Sequence, residues 1–289
     1  MVGKTNKMLH FVFDTCSILN IIKIDDDLEL LKKLKQVNIY FPEKVKEEIE
    51  RFIKSTKKQK ATDYRNFLFT NLVSYEIIKN NDKDFFEKIE RWTSYTKKNG
   101  EFFALATAIF LSRYSPKYNF EEQNFIKLIT DDSPAQKDFE SYLKLEQLVS
   151  TGDSIDVMLI FYILDSSFTE GKLKKILLDL KALYVKEHLE IMNTLKELLS
   201  KNQSSNKSAK QKLSKRKEIK NFIELYKNNN TDLLLMKIDK LNKLLGEFRI
   251  KKKSDLEEFS NSIFRNHIDY VDKINSLLGK DLSAVYCLP

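Results

Sequence analysis

Short apolar runs that end at polar residues alternate with stretches of helical spacing in the first part of the chain. The first run, Leu9 to Phe13, stops at Asp14, where an acidic residue can cap a following helix. Val37 to Phe41 predicts a second strand that Pro42 closes, and Phe125 to Thr130 predicts a later one. We therefore expect an α/β fold in which a mostly parallel sheet is flanked by helices.

Apolar residues recur at helical spacing between these strands. The predicted helices cover Glu43 to Ile53, Asp82 to Lys97, the stretch EFFALATAIFL that Gly100 and Glu101 open, and Val157 to Leu164 behind the cap Asp153 or Ser154. A further strand is expected around Leu72 to Ile78. Each strand is thus followed by a helix, as in a parallel sheet.

The pattern changes after about Leu183, where β-prone runs stop and only helical spacing remains. We therefore predict a sheet domain over residues 8–185 and a C-terminal all-α appendage over residues 186–289. Within the appendage, Lys201 to Lys220 is rich in Ser and Lys and almost free of apolar residues, as in a flexible loop or a solvated helix end. We assign residues 201–220 to a basic flexible segment.

Composition adds a weak preference for a polyanionic partner. The 50 Lys and Arg residues exceed the 42 Asp and Glu residues, which gives a net charge of +8. The basic runs Lys54 to Lys60 and Lys201 to Lys220 have a composition suited to phosphate contacts, although solvated linkers and AT-rich coding produce the same composition. Nucleic acid is therefore one candidate partner, and charge alone does not decide the question.

Cysteine and apolar content indicate a reduced, cytoplasmic protein without a membrane segment. Cys16 and Cys287 stand at opposite ends of the chain without a disulfide pattern, and the three histidines are too scattered for a structural zinc site. No stretch reaches the roughly 20 apolar residues that a membrane span requires. We assign no chemistry to Cys16, His10 or His188.

Acidic residues stand where a parallel sheet gathers its active site. Asp14 follows the first predicted strand, and Asp131 and Asp132 follow a later one. Glu48 lies early in the helix after the second strand, and Glu101 lies at the start of another helix. The carboxyl ends of parallel strands line a common crevice. Two carboxylates about 4 Å apart repel each other by roughly 4 kcal/mol, so such a cluster requires a cation. Oxygen ligands favour Mg²⁺ or Mn²⁺ over zinc.

Each of these acids also has a simpler structural interpretation. Asp14 has the position of a helix cap, and Glu101 has that of a favourable charge at a helix N-terminus. Glu48 borders the apolar face of its helix, whereas most acids on the same helix must be solvated. Asp153 and Asp156 fit a cap and a first-turn acid better than a catalytic role.

Four segments resemble the PIN-domain family of metal-dependent nucleases. FVFDTCSIL resembles the opening strand and D-[ST]-x-[ST] turn of that family, and FPEKVKEEIER resembles its second element. GEFFALATAIF is similar to the Gly-Glu helix of some branches, and KLITDDSPAQKDF to the strand-plus-acid motif. The order and spacing fit over about residues 8–185, and the helical appendage lies outside the resemblance.

The resemblance implies a set of residues and a cofactor. The implied ligands of Mg²⁺ or Mn²⁺ are Asp14, Glu48, Glu101 and Asp132, with Asp131 competing for the last role and Thr15, Ser17 and Thr130 in support. Many members carry Asp where this chain has Glu101. The longer side chain can still reach a metal, so we expect activity rather than its loss.

The implied function is an endonuclease that cleaves RNA in preference to DNA, as in a toxin or a phage-defence effector. The alternative is a catalytically inactive PIN-like scaffold whose helical tail binds a protein partner or a second copy of the chain. Haloacid-dehalogenase-like phosphatases also place an Asp after their first strand, but they need a second Asp two positions on. Cys16 occupies that position and argues against phosphatase chemistry. A protein inhibitor and self-association through the tail stay open.

Overall fold

The computed structural model describes residues 9–56, 59–74, 76, 78, 87, 91, 100–114, 125–143, 149–228, 230, 233–234, 236–252, 255–264 and 267–280. The chain divides into two compact units. The first comprises Met1–Leu180 with Leu278–Pro289, and the second comprises Lys181–Leu277. The first unit contains a β-sheet with flanking helices, whereas the described part of the second unit is helical.

The sheet of the first unit has five parallel strands. These are β1 (Leu9–Phe13), β2 (Asn38–Pro42), β3 (Leu72–Val73), β4 (Phe125–Ile129) and β5 (Val149–Gly152). The strand order is β3-β2-β1-β4-β5. In the centre, Val12 of β1 lies opposite Tyr40 of β2 and Leu128 of β4. The expected α/β class with a mostly parallel sheet and a helical C-terminal part is confirmed.

The order of the strands creates a reversal point at the middle of the sheet. From β1 the chain adds β2 and β3 on one side, and it then returns to add β4 and β5 on the other side. In open α/β sheets, ligands bind outside the carboxyl ends of the strands at such a point. A functional site is therefore expected at the residues that directly follow β1 and β4.

Helices cover the strands and close the core of the first unit. They are α1 (Thr15–Ile24), α2 (Glu29–Leu34), α3 (Glu43–Thr56), α4 (Gln59–Phe69), α5 (Gly100–Tyr114), α6 (Ser133–Leu143), α7 (Ser154–Leu164) and the first part of α8 (Glu170–Ser204). Phe11, Val12 and Phe13 are fully buried. Because a central parallel strand is covered on both faces, its sequence reads as an unbroken apolar run.

The second unit packs helices around its own apolar core. It contains the rest of α8, α9 (Ala209–Lys227), α10 (Ile238–Glu247), α11 (Leu256–Phe264) and α12 (His267–Leu278). Ile191, Leu195 and Leu198 from α8 pack in one cluster with Ile219 and Phe222 from α9. Within the described residues, no helix combines the length and the apolar composition needed to cross a membrane.

Several boundaries differ from the predicted ones. The predicted third strand ends early, since β3 stops at Val73 and both Glu76 and Ile78 are helical. The short strand β5 was missed because its sequence, VSTG, contains a single large apolar residue. The predicted helix Asp82 to Lys97 lies outside the described residues, except for Glu87 and Arg91, which are helical and form an i,i+4 ion pair.

Residues 201–220 are largely helical rather than a flexible loop. Helix α8 continues to Ser204, and α9 begins at Ala209 after Ser208, whose hydroxyl accepts a hydrogen bond from the Gln211 N–H. The Asn202 side chain donates to the Lys212 carbonyl at 3.0 Å and ties the two helices together. Lys and Gln are good helix formers, so a sequence with few apolar residues can still form a largely solvated helix.

Asp25 connects three helices of the first unit. The residue is 2% exposed and ends α1. Its carboxylate accepts hydrogen bonds from the N–H groups of Leu30 and Leu31 at the start of α2, at 2.9 and 3.0 Å. The Tyr64 hydroxyl of α4 donates to the same carboxylate at 2.6 Å. One buried side chain therefore satisfies three donors from two other helices.

We expect Asp25→Ala to lower the free energy of unfolding by about 3 kcal/mol, because it leaves buried donors without an acceptor. The neighbouring Asp26→Ala should cost less than about 1 kcal/mol, since the Asp26 carboxylate lies at the surface in its ion pair with Lys60. Urea unfolding of both variants measures the difference. Equal losses in the two variants would contradict the role given to Asp25.

Candidate metal centre

Asp14 links the ends of the two central strands. It follows β1 directly, and its backbone N–H donates to the Ile129 carbonyl of β4 at 3.0 Å. One carboxylate oxygen accepts from the Ser17 N–H at 2.8 Å and so caps α1, and the other accepts from the Thr130 hydroxyl at 2.5 Å. The side chain is fully buried. The cap interpretation is therefore correct, and it fixes the orientation of the carboxylate.

The two acids after β4 have different surroundings. Asp131 is fully buried and accepts from the Asn20 amide at 2.7 Å, and from the Ser154 hydroxyl and N–H at 2.7 and 2.8 Å. These donors connect β4 to α1 and α7. Asp132 accepts from the Ala135 N–H at 2.9 Å and caps α6. Both Asp131 oxygens thus accept hydrogen bonds from neighbouring helices, which suits a role in positioning the backbone.

Glu101 lies at the start of α5, among the other acids. It is 7% exposed. Burial raises the pKa of Glu101 well above its usual range, and the charges of Asp132, Asp14 and Glu48 raise it further. The Glu101 carboxyl therefore experiences the negative charge of three acids that come from three different segments of the chain.

Gly100 allows two side chains to approach the start of α5. A Cβ atom at position 100 would lie 3.0 Å from the Thr15 hydroxyl oxygen and 3.2 Å from a carboxylate oxygen of Glu48. A carboxylate oxygen of Glu48 thus reaches from α3 to the start of α5, where the charge of Glu48 helps to raise the pKa of Glu101. The Thr15 hydroxyl is buried, and it has no hydrogen-bond partner among the described residues.

Cys16 belongs to the same cluster, which sequence reasoning missed. Its sulfur and one carboxylate oxygen each of Asp14 and Glu101 all lie within 4.8 Å of one another, and all three residues are buried. Cys16 has no cysteine partner at disulfide or zinc spacing, and the signal that could have identified it is its position in the first helical turn after a strand-terminal acid. We therefore define the acid cluster as Asp14, Cys16, Glu48, Glu101 and Asp132.

The spacing of Asp14, Cys16 and Glu101 suits one divalent cation, and Glu48 and Asp132 lie close enough for their charges to raise the pKa of Glu101. Oxygen ligands lie about 2.0–2.6 Å from Mg²⁺ or Ca²⁺, so two ligands of one ion stand at most about 5 Å apart. The separations among Asp14, Cys16 and Glu101 fall within that limit. Carboxylates favour Mg²⁺ or Mn²⁺, and a thiol adds affinity for softer ions such as Zn²⁺ or Cd²⁺.

The remaining sequence candidates have structural contacts of their own. Asp153 caps α7, and Asp153 and Asp156 form a reciprocal capping box, as predicted for these two acids. His188 of the second unit stacks on the Tyr226 ring, and burial lowers its pKa. His10 on β1 lies against the Tyr40 ring.

A scan against protein-family models, a search of curated proteins and a search of solved structures each find no match to the chain. The resemblance to the PIN-domain family therefore rests on the four sequence motifs alone, and the chemistry of the acid cluster rests on its own geometry.

Asp14 should make the metal-free protein less stable as the pH rises. Burial raises the pKa of Asp14 to about 7, although hydrogen bonds from Thr130 and Ser17 oppose the shift. The folded state therefore favours the protonated carboxyl, and the stabilisation present below the unfolded pKa near 3.8 is lost as the pH rises through 7. We expect Asp14→Asn to reduce the loss of unfolding free energy between pH 5 and pH 8 by up to about 3 kcal/mol, because about two pH units of the shift lie in this range at about 1.4 kcal/mol each.

Urea unfolding in EDTA at the two pH values measures this loss. Asp165→Asn is the control, because the hydrogen bond from Lys33 lowers the pKa of Asp165 to about 2. Its carboxylate is ionised at both pH values, so the substitution should destabilise equally at each. The account fails if Asp14→Asn and the unmodified protein have the same pH dependence.

Cys16→Ser should change how the cluster binds a thiophilic ion. Coordination by Cd²⁺ deprotonates a thiol and produces an ultraviolet thiolate-to-metal absorption band. We expect this band in the unmodified protein and in Cys287→Ser, which removes the only other cysteine of the chain. Cys16→Ser should lose it. A band that persists in Cys16→Ser and disappears in Cys287→Ser would remove Cys16 from the site.

Proposed function

We propose that the chain is a metal-dependent endonuclease of the PIN type, which hydrolyses phosphodiester bonds of RNA in preference to DNA. One observation carries the proposal: donor atoms of Asp14, Cys16 and Glu101 converge within 4.8 Å at the reversal point of a parallel sheet. The motif resemblance implied Asp14 and Glu101 as metal ligands, and the preference for RNA comes from that resemblance alone.

The residues present suit a divalent cation. Asp14, Glu48, Glu101 and Asp132 would hold it through oxygen, and Cys16 could add a sulfur ligand. The buried Thr15 hydroxyl has no hydrogen-bond partner among the described residues, and it faces the Glu48 carboxylate across the start of α5. An unsatisfied buried hydroxyl beside buried carboxylates supports a bound ion or an ion-bound water in this space.

A divalent cation in this position would lower the pKa of a bound water and neutralise charge on a phosphoryl group. The protein's own contribution is orientation. Hydrogen bonds from Ser17 and Thr130 hold the Asp14 carboxylate in one place, and Asp131 locks the neighbouring backbone to α1 and α7. Ligands fixed in advance need no reorganisation when the substrate arrives.

The inactive scaffold explains the acid cluster less well. Burial raises the pKa of Asp14 to about 7, and that of Glu101 well above its usual range. Both shifts are a cost to the folded state at neutral pH, and a protein that only binds a partner through its helical tail gains nothing from them. A cation that the carboxylates bind offsets this cost.

The test compares neighbouring acids of α3. We expect labelled single-stranded RNA to be cleaved with Mg²⁺ or Mn²⁺, and Glu48→Gln to reduce the cleavage rate by at least about 100-fold, because loss of a ligand should exceed the 10- to 100-fold effect of its hydrogen-bonded supports. Glu47→Gln should retain activity, since Glu47 is exposed and pairs with Lys44. Asp14→Asn should abolish cleavage.

The same assay with DNA substrates and with EDTA decides between the alternatives. Cleavage of DNA alone would correct the substrate and keep the nuclease. The proposal fails if neither polymer is cleaved with either metal, or if cleavage continues unchanged in Asp14→Asn or in EDTA. Metal binding without any cleavage would favour the scaffold.

A further inference from the structure

The excess positive charge of the chain is concentrated in one helical hairpin of the second unit. Residues 201–220, which we call the basic hairpin, contain seven Lys and one Arg against one Glu. This segment therefore carries seven of the eight net positive charges. The remaining residues together carry a net charge of +1, so the basic hairpin accounts for most of the net charge of the chain, although Lys54 to Lys60 is a second basic run.

Helix α9 presents part of this charge on a single face. Its residues Ile219, Phe222 and Tyr226 are buried in the core of the second unit. At 100° per residue, three exposed Lys residues lie on the opposite face and one exposed Arg lies at its side, and we call these four cations the basic row. The basic row consists of Lys210, Arg216, Lys217 and Lys220. It extends for roughly 15 Å along the helix, long enough to pass several phosphates of a nucleic acid.

Acidic partners neutralise the flank of the hairpin but not the row. Lys207 and Lys215 both bind the Glu247 carboxylate, and both lie over the Phe248 ring. None of the ion pairs found among the described residues involves the basic row. Its charges therefore face solvent and are available to a polyanion.

We propose that the basic row is a docking surface for the phosphate backbone of RNA. The choice of RNA rests on the proposed function, because a nuclease must hold a polyanionic substrate. A basic amphipathic helix can also lie on an anionic membrane. Here the apolar face of α9 is already buried against α8, so α9 cannot insert it into a lipid surface.

The chemistry of the row predicts the kind of binding. Lys and Arg neutralise phosphates without reading bases, so the binding should be independent of sequence and sensitive to salt. Leu213 is the exposed apolar residue between the cations, and the row includes no aromatic side chain on which a base could stack. The row therefore supplies affinity, and it contributes no sequence preference.

The experiment measures binding of fluorescein-labelled, mixed-sequence single-stranded RNA to the full chain by anisotropy over a range of KCl concentrations, in EDTA. Replacing all four residues of the basic row by Gln should weaken binding by at least about 10-fold at low salt. The slope of log K against log salt should fall by up to about 3, since each lost phosphate contact removes about 0.7 for a single strand.

The matched control also removes four exposed cations, but from the first unit. Lys32, Lys35, Lys137 and Lys175 are exposed, and their replacement by Gln changes the net charge by the same amount. We expect less than about a 3-fold change in affinity for this control. Equal losses in both variants would show that only net charge matters, and no loss in the row variant would overturn the proposal.

Two further outcomes are informative. Binding of the unmodified protein to phosphatidylserine vesicles but not to RNA would overturn the proposal in favour of a membrane surface. Binding is measured in EDTA, where no metal-dependent cleavage occurs. The result of this experiment is therefore independent of the test of the nuclease proposal. A chain that binds RNA through the basic row but cleaves nothing would keep this inference and lose the proposed function.

Discussion

The burial of several carboxylates at the carboxyl ends of the central strands is the constraint on which the rest of the first unit depends. The fold itself satisfies Asp131, through donors from Asn20 and Ser154. It satisfies Asp14 only in part, because two hydrogen bonds do not offset burial and its pKa still rises to about 7. Glu101 is a further buried acid, and the charges of Asp14 after β1 and Asp132 after β4 help to raise its pKa. The surroundings of Asp131 therefore suit a positioning role, whereas those of Asp14 and Glu101 suit binding of a cation.

Local sequence around the acid cluster follows from this constraint. Helices α1 and α6 begin directly at capping acids, Asp14 and Asp132, and α5 begins at Gly100. Three helix N-termini therefore point their positive ends toward the acids, which lowers the cost of the negative charge. Position 100 lies so close to Thr15 and Glu48 that a larger side chain would displace one of them. A divalent ion bound to the acids would lower the cost of their negative charge further.

Sequence predicted the parts of the fold in which local pattern and tertiary environment agree. Strand β1 was predicted correctly because both of its faces are buried, whereas β5 lies at the edge of the sheet that the described residues form, and its sequence, VSTG, lacks an apolar run. The choice between Asp131 and Asp132 depends on Asn20 and Ser154, which lie far away in sequence. The proximity of Cys16 to Glu101 likewise depends on packing. For the basic hairpin, polar composition alone did not distinguish a solvated helix from a loop.

The central claim is that the acid cluster binds a divalent cation, and Mn²⁺ binding at pH 8 tests it most directly. Electron paramagnetic resonance of free Mn²⁺ gives the affinity and the number of ions bound per chain. We expect at least one ion per chain, with affinity at least about 10-fold weaker in Glu101→Gln and unchanged in the exposed control Glu47→Gln. An affinity that is the same in all three proteins would contradict the account, because the bound ion would then lie outside the acid cluster.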